Sequence, residues 1–246
     1  MDIETVLITG ANRGIGLATA ELLGQHGYHV ILTSRKPDPE QVDVSDGANV
    51  TGELADRGLS VDFQYLDVTS QDEIQAVSGY VEDTYGRLDV LINNAGIKAD
   101  ESPDGESRPT IVKTRIQPIR NSMEVNVYGP IMVTQAFIPL LLKSDNPRIV
   151  NVSSYMGKLS SMTRAWPGYR ISKTALNAVT RIFASELRDH GIKVNSVHPG
   201  WIRTRMGGPD ATYDSTYGAE SVTKLVFIDR NGPTGGFFEQ GKAIDW

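Results

Sequence analysis

A chain of 246 residues, 39% hydrophobic and 22% charged, can bury a sizeable core and is too balanced for a disordered or membrane-embedded protein. Its formal net charge of −6, with no run of Lys and Arg, argues against a nucleic-acid partner. The absence of cysteine removes disulfides, thiolate nucleophiles and Cys-ligated zinc together, and suits a reducing compartment.

Met1 leads through a short acidic stretch straight into the apolar run TVLIT (5–9), with no basic region, long apolar segment or cleavage site, so a cytoplasmic chain without a membrane anchor is expected. Short β-rich apolar runs then alternate with helical patterns: YHVILT (28–33), VDFQYL (61–66), DVLIN (89–93), RIVNVS (148–153) and IKVNSV (192–197), with a late strand at GGFFE (235–239). Such alternation means βαβ units, and strands apolar on both faces need helices on both sides. The expectation is one α/β domain over residues 1–246, a Rossmann-like, doubly wound parallel sheet of seven strands with helices on both faces. Two segments interrupt the alternation. Residues 97–118 are polar, carry three prolines and precede a helix expected over 119–143, and residues 203–219 are rich in Gly, Thr and Tyr. Both follow strand C-terminal ends, the edge where open α/β sheets bind ligands. The second is expected to form a mobile lid hinged at Gly207 and Gly208, with Tyr213 and Tyr217 as apolar cover.

TGANRGIG (9–16) follows the first strand and opens a helix near Ile15. Gly10 can turn tightly, Gly14 lets the backbone approach a diphosphate, and Gly16 allows the helix to pack closely on the sheet. The helix N-terminus then offers unpaired N–H groups to phosphates. A glycine-rich turn of this kind is also compatible with a plain structural turn.

The spacing G-x-x-x-G-x-G does not stand alone. With NNAG (93–96), the Ser153–Ser154 pair ending the fifth strand, YRISK (169–173) and the HPG turn (198–200), it resembles the short-chain dehydrogenase/reductase family, in order and over essentially the whole chain. The tail GPTGGFFEQGKAIDW is similar to the carbonyl-reductase-like branch. The resemblance implies an oxidoreductase that moves a hydride between NADP(H) and a ketone, aldehyde or quinone carbonyl, or an alcohol in reverse, with a small-molecule substrate and no metal. It implies cofactor contacts from Gly10, Asn12, Arg13, Gly14, Ile15 and Gly16 in the turn. Further contacts would come from Ser34 and Arg35 after the second strand, from Asp67 and Val68 beside the adenine, from Asn94, Ala95 and Gly96, and from Pro199, Gly200, Trp201, Ile202 and Thr204. Preference for NADP over NAD is expected because Ser34 stands where NAD-binding relatives carry an acidic residue, and Arg13 and Arg35 could clamp a 2′-phosphate. Asp67 can also serve as a helix cap beside Thr69, a role that coexists with adenine contact, and Asn93 and Asn94 can tie strand ends together.

Tyr169 and Lys173 lie four positions apart in an amphipathic helical pattern, so a hydroxyl and an ammonium share one face of a rigid element. By the resemblance Tyr169 is the general acid, Lys173 lowers its pKa and contacts the cofactor ribose, Ser154 holds the carbonyl oxygen, and Asn126 orders a water in the proton relay. The Ser154-to-Tyr169 interval is somewhat longer than is usual for the family, which leaves Ser153 open as the alternative serine. Trp166 and Trp201 are candidates for the substrate pocket or for plain packing. The four histidines, His26, His29, His190 and His198, have no metal-like spacing and read as structural. A non-catalytic NADP-binding regulator is the competing reading, since the fold does not imply catalysis. A homodimer is a weaker expectation.

Overall fold

Strands apolar on both faces can only sit between two helical layers, and that constraint organises the chain. The structure, a computed structural model, describes residues 3–37, 46–101 and 108–246. Strands β1 (Thr5–Ile8), β2 (His29–Ser34), β3 (Val61–Tyr65), β4 (Val90–Asn93), β5 (Arg148–Val152), β6 (Lys193–His198) and β7 (Phe237–Glu239) pair in parallel in the order β3-β2-β1-β4-β5-β6-β7. The expected architecture, single-domain, α/β and Rossmann-like, is the observed one. The strand count is corrected to eight: β8 (Lys242–Ala243) folds back antiparallel on β7. Gln240 and Gly241 both take positive φ, at 48° and 76°, the backbone of a two-residue hairpin turn. Two residues are too few to leave a period-2 signal, which is why the hairpin was not expected.

Alternate strand side chains feed the two layers. Leu7, Leu91 and Ile149 meet Phe137 and Leu140 of α5 (Gly129–Leu141) and Phe183 of α6 (Pro167–Glu186), beside α3 (Gln71–Tyr85). Val6, Ile8 and Val150 meet Ala20 and Leu23 of α1 (Gly14–Gln25), Leu54 of α2 (Gly47–Asp56) and Val222 and Leu225 of α7 (Ser215–Val226). All these aliphatic and aromatic groups are buried, and each of the Val, Leu, Ile and Phe side chains contributes about 1.5–3 kcal/mol from the water it leaves.

The helix expected over 119–143 starts earlier and is not uniform. It begins as α4 (Ile116–Met123), passes through a π turn at Glu124–Tyr128 and continues as α5. A π turn inserts an extra residue per turn and often marks a working site. Here it carries Asn126, which is fully buried. Of the polar segment 97–118, residues 102–107 lie outside the described residues, and 116–118 belong to α4.

The segment 203–219, expected to be an irregular lid, is helical at its end. Asp214 accepts a hydrogen bond from the Tyr217 amide at 3.0 Å and caps α7, so 215–219 are helix. Arg203 donates to the carbonyls of Ala211 and Thr212, and its own amide bonds Tyr213 O at 2.7 Å, tying the rest into a closed loop. At Gly207 only glycine fits, because a side chain there would collide with the Ile202 carbonyl, whereas Gly208, at φ 81°, faces open space.

One row of polar residues crosses the buried sheet. Asn93, Asn151 and Ser196 are register neighbours on β4, β5 and β6. The Asn93 amide donates to Asn151 Oδ1 at 2.8 Å and to Thr134 of α5 at 3.2 Å; Asn151 donates to Thr180 of α6 at 2.8 Å, and Thr180 shares a 2.8 Å bond with Ser196. The row therefore ties α5 and α6 to the sheet. Asn151→Ala leaves buried donors and acceptors without partners on both sides and should cost about 2–4 kcal/mol in urea unfolding; a loss below about 1 kcal/mol would contradict the network.

Candidate active site

A cleft of about 1090 Å³ runs along the C-terminal ends of the parallel strands. Its floor is the turn after β1. Gly10 and Gly14 take φ of 65° and 56°, the left-handed region that favours glycine. A methyl at Gly16 would lie 2.6 Å from both Gly10 O and Asn94 Nδ2, so the helix can meet the sheet this closely only with glycine there. Gly10, Asn12, Arg13, Gly14, Ile15 and Gly16 all line the cleft, where α1 points its N-terminus into the space.

Past the end of β2 stand Ser34, Arg35 and Lys36, all lining the cleft. Lys36 was not among the expected residues, although it is visible in the run TSRKP. Asp67 and Val68 line it beyond β3. Asp67 also accepts from the amide and hydroxyl of Thr69, but the cap of α3 is Ser70. Asn94 lines the cleft and also donates to Thr9 O and Gly10 O at 2.9 Å, so it does tie two strand ends together. Ala95 and Gly96 line it beside them.

Seven cationic side chains (Arg13, Arg35, Lys36, Lys98, Lys173, Arg203 and Arg205) and two carboxylates (Asp67 and Glu73) line this space, in a chain whose formal charge is −6. A cleft positive against its own protein suits a polyanion. Left-handed glycines, an open helix N-terminus and this charge together fit a dinucleotide phosphate. Among the described residues no group of three or more His, Asp or Glu could hold a metal ion, and no helix is long and apolar enough to cross a membrane.

Three expected cofactor residues do not line the cleft. Gly200, with φ of 98°, is pressed against the stacked rings of Tyr213 and Tyr217. Trp201 is 53% exposed and donates its indole N–H to Gly207 O. Ile202 is buried and bridges to Tyr213. Pro199 and Thr204 do line it. Trp166 is also outside the lining, with Lys98 and Arg108 against its ring.

At the far end of the cleft are Tyr169 and Lys173, one turn apart on α6. Ser154 stands beside the Tyr169 hydroxyl and acts to lower its pKa, while its own Oγ accepts from the Met156 amide at 3.1 Å. Ser153 points its hydroxyl to the α6 backbone at Lys173 O, 3.4 Å away. Of the pair, Ser154 is the one that acts on the Tyr169 hydroxyl, whereas Ser153 is the one that lines the cleft. The long interval between them is taken up by two short 3-10 turns, Tyr155–Gly157 and Leu159–Ser161. The first packs so closely on α6 that a methyl at Gly157 would lie 2.7 Å from the Lys173 carbonyl carbon.

Lys173 is 4% exposed and donates to Val152 O at 2.8 Å. Burial pushes its pKa down to about 8. Tyr169 differs from expectation: burial moves its hydroxyl above the ordinary value, and Ser154 beside it only partly offsets this. The ammonium is engaged with Val152 and stands 5.7 Å from the tyrosine ring centre. Asn126 is tied to the chain after β4 and to α6. Its amide donates to Ile97 O at 2.8 Å and Ser172 Oγ at 2.9 Å, and its Oδ1 accepts from the Ile97 amide at 2.8 Å. It clamps the chain after β4 against α6 and does not line the cleft. Of the histidines, His198 is held down to about 4 by burial, and His26 and His29 bond Leu22 O and Ser60 Oγ.

Sequence reasoning missed Asp100. Its carboxylate accepts from the amides of Gly168 and Tyr169, at 2.6 and 2.9 Å. Nothing local marks it, because its partners lie 68 and 69 residues further along the chain.

The family described as short chain dehydrogenase matches residues 4–213 of this sequence. The chain belongs to the short chain dehydrogenase family. It is similar to (+)-neomenthol dehydrogenase of Arabidopsis thaliana, at 29% identity over 292 aligned positions covering 98% of this chain and 97% of the relative. NADPH carbonyl reductase 1 of Bos taurus is 28% identical over 286 positions, covering 98% and 97%. Among solved structures, NADPH-bound carbonyl reductase from chicken fatty liver superposes with a TM-score of 0.84 at 28% identity over 100% of both chains. This short chain dehydrogenase is thus a carbonyl-reductase-like member of an oxidoreductase family.

The buried ammonium of Lys173 generates a stability prediction. The folded chain holds that proton less tightly than the unfolded chain, so the penalty is complete below the folded pKa of about 8 and fades as pH rises towards the ordinary 10.5. At about 1.4 kcal/mol per unit, the charge costs the fold roughly 2–4 kcal/mol at neutral pH. Lys173→Met should therefore melt higher than wild type at pH 7, with the gap closing between pH 8 and 10.5. A variant less stable than wild type across the whole range would contradict this.

Proposed function

We propose that this chain is an NADPH-dependent carbonyl reductase, reducing a ketone, aldehyde or quinone to the alcohol and reversible in principle. The reading rests on one observation: Tyr169 and Lys173 line the cleft from one face of α6, with Ser154 beside the Tyr169 hydroxyl. Bound in the cleft, NADPH supplies a hydride to the carbonyl carbon.

The chain's own residues do the rest. Arg13, Arg35 and Lys36 would hold the 2′-phosphate, with Ser34 in place of a repelling carboxylate. The α1 N-terminus would take the diphosphate, Asp67 and Val68 the adenine, and Lys173 the ribose. Binding of NADPH by the chicken enzyme supports that choice of cofactor.

Tyr169 holds a proton at its hydroxyl and passes it to the carbonyl oxygen. A phenol raised above its ordinary pKa stays protonated at neutral pH, which is the state a donor must start from. Ser154 is placed to hydrogen-bond the same oxygen as it gains negative charge. Lys173 is charged at pH 7, since its pKa is about 8, and it stabilises the phenolate left behind. A cation near 6 Å at an effective dielectric of about 20 contributes on the order of 3 kcal/mol. Asn126 acts as a positioning residue, fixing Ile97 and Gly96 beside the lysine. A methyl at Gly96 would stand 3.2 Å from Asn126 Oδ1 and 3.5 Å from Lys173 Nζ, so these groups leave little slack.

Tyr169→Phe keeps the ring and loses the donor. Against cyclohexanone, benzaldehyde and a naphthoquinone, its turnover should fall at least ~10²-fold while NADPH affinity, read by fluorescence titration, stays near wild type. A folded variant with near-normal turnover would defeat the mechanism. NADH binding as tightly as NADPH in the same titrations would defeat the assignment of the 2′-phosphate clamp.

A further inference from the structure

Helix α6 carries both reacting side chains, yet its own sequence provides no cap. The N-cap position is Trp166, an apolar residue in left-handed geometry at φ 51°, with no side-chain hydrogen bond to the helix start. The first helical residue, Pro167, has no N–H to satisfy. That leaves the amides of Trp166, Gly168 and Tyr169 to find acceptors elsewhere, because the Arg170 amide already reaches Trp166 O at 3.0 Å.

All three acceptors come from the polar segment between β4 and α4. Pro109 O takes the Trp166 amide at 2.9 Å, and Asp100 takes Gly168 at 2.6 Å and Tyr169 at 2.9 Å, one carboxylate oxygen for each. Gly168 is what admits the carboxylate: a methyl there would lie 3.1 Å from Asp100 Oδ1 and 3.1 Å from the Ile119 backbone. Lys98 and Arg108 flank the Trp166 ring at 5.0 and 5.8 Å, so the segment grips the helix start on both sides of Asp100. A carboxylate at a helix N-terminus also meets the positive end of the helix dipole.

We propose that Asp100 is a positioning residue for Tyr169. By capping α6 through the amide of Tyr169 itself, it sets where the phenol hydroxyl stands relative to Ser154, and Pro109 O completes the cap at Trp166. The inference rests on the reading of Tyr169 as proton donor. Lys173 is held independently through Val152 O, one turn further into the helix, so loss of Asp100 acts on the tyrosine before the lysine.

The test compares wild type, Asp100→Ala, Asp100→Asn and Tyr169→Phe. Amide hydrogen exchange over residues 166–173 needs no substrate and reads the cap directly: it should be roughly fivefold faster in Asp100→Ala, with the asparagine variant between that and wild type because it keeps one acceptor. Single-turnover reduction of a naphthoquinone, expressed per bound NADPH, should fall about 10-fold or more in Asp100→Ala with NADPH affinity retained, and recover in part in Asp100→Asn. Unchanged exchange in Asp100→Ala overturns the cap whatever the activity. Faster exchange with an unchanged rate per bound NADPH overturns the positioning role, since a cap serving stability alone lowers only the amount of competent protein. Should Asp100→Ala fail to fold, the same two readings on Asp100→Asn decide the matter. The Tyr169→Phe control separates the two ideas: if it retains turnover, the reading of Tyr169 fails, and the exchange result still stands for or against the cap.

Discussion

A hydroxyl and an ammonium one helical turn apart are of use only if the helix that carries them is fixed against the sheet, and burial alone would let α6 slide. Hydrophobic contacts are non-directional. The row from Asn93 through Asn151 and Thr180 to Ser196 is directional, and each member is buried where a lost partner is expensive. It crosses the C-terminal halves of β4 to β6, beneath the edge where the cleft opens. The same row therefore serves the core and sets the height of α6 above the cleft floor.

Above that row the chain trades stability for chemistry. Lys173 keeps an ammonium where burial disfavours it, with one carbonyl partner at 2.8 Å. The closeness of Gly157 and Gly96 to Lys173 shows how little space is left around it. Such a group destabilises the fold and is positioned by groups that do not react: the Val152 carbonyl, Asn126 and the backbone it clamps at Ile97. The cleft outside is positive against an acidic protein, and these local and long-range features suit an anionic cofactor held beside a buried proton donor.

Much of this was legible in the sequence, for physical reasons that differ by element. Parallel strands covered on both faces are runs of apolar residues, so β1, β2, β4 and β5 stood out, and their order with intervening helices implied the layers. Glycines in a phosphate-binding turn are forced by backbone geometry, and Tyr169 and Lys173 share a face by helical period. What escaped was set by tertiary contact. A π turn at Asn126 leaves no period to read, and the β7-β8 hairpin is too short to show one. The Gly-rich segment after β6 read as wholly irregular by composition, yet Arg203 closes it into a loop and the Asp214 cap starts α7 within it. Asp100 is the sharpest case, because a cap delivered from 68 residues away has no local signature.

The central claim is that this cleft transfers hydride from a nicotinamide to a carbonyl carbon. NADPH carrying deuterium at both C4 positions, incubated with the protein and benzaldehyde or a ketone it accepts, tests that claim most directly. In ordinary water the account predicts deuterium on the carbinol carbon of the product, and solvent hydrogen only at the exchangeable hydroxyl. A product whose carbinol hydrogen derives from solvent, or a protein that binds NADPH and transfers no label to any carbonyl, would contradict it.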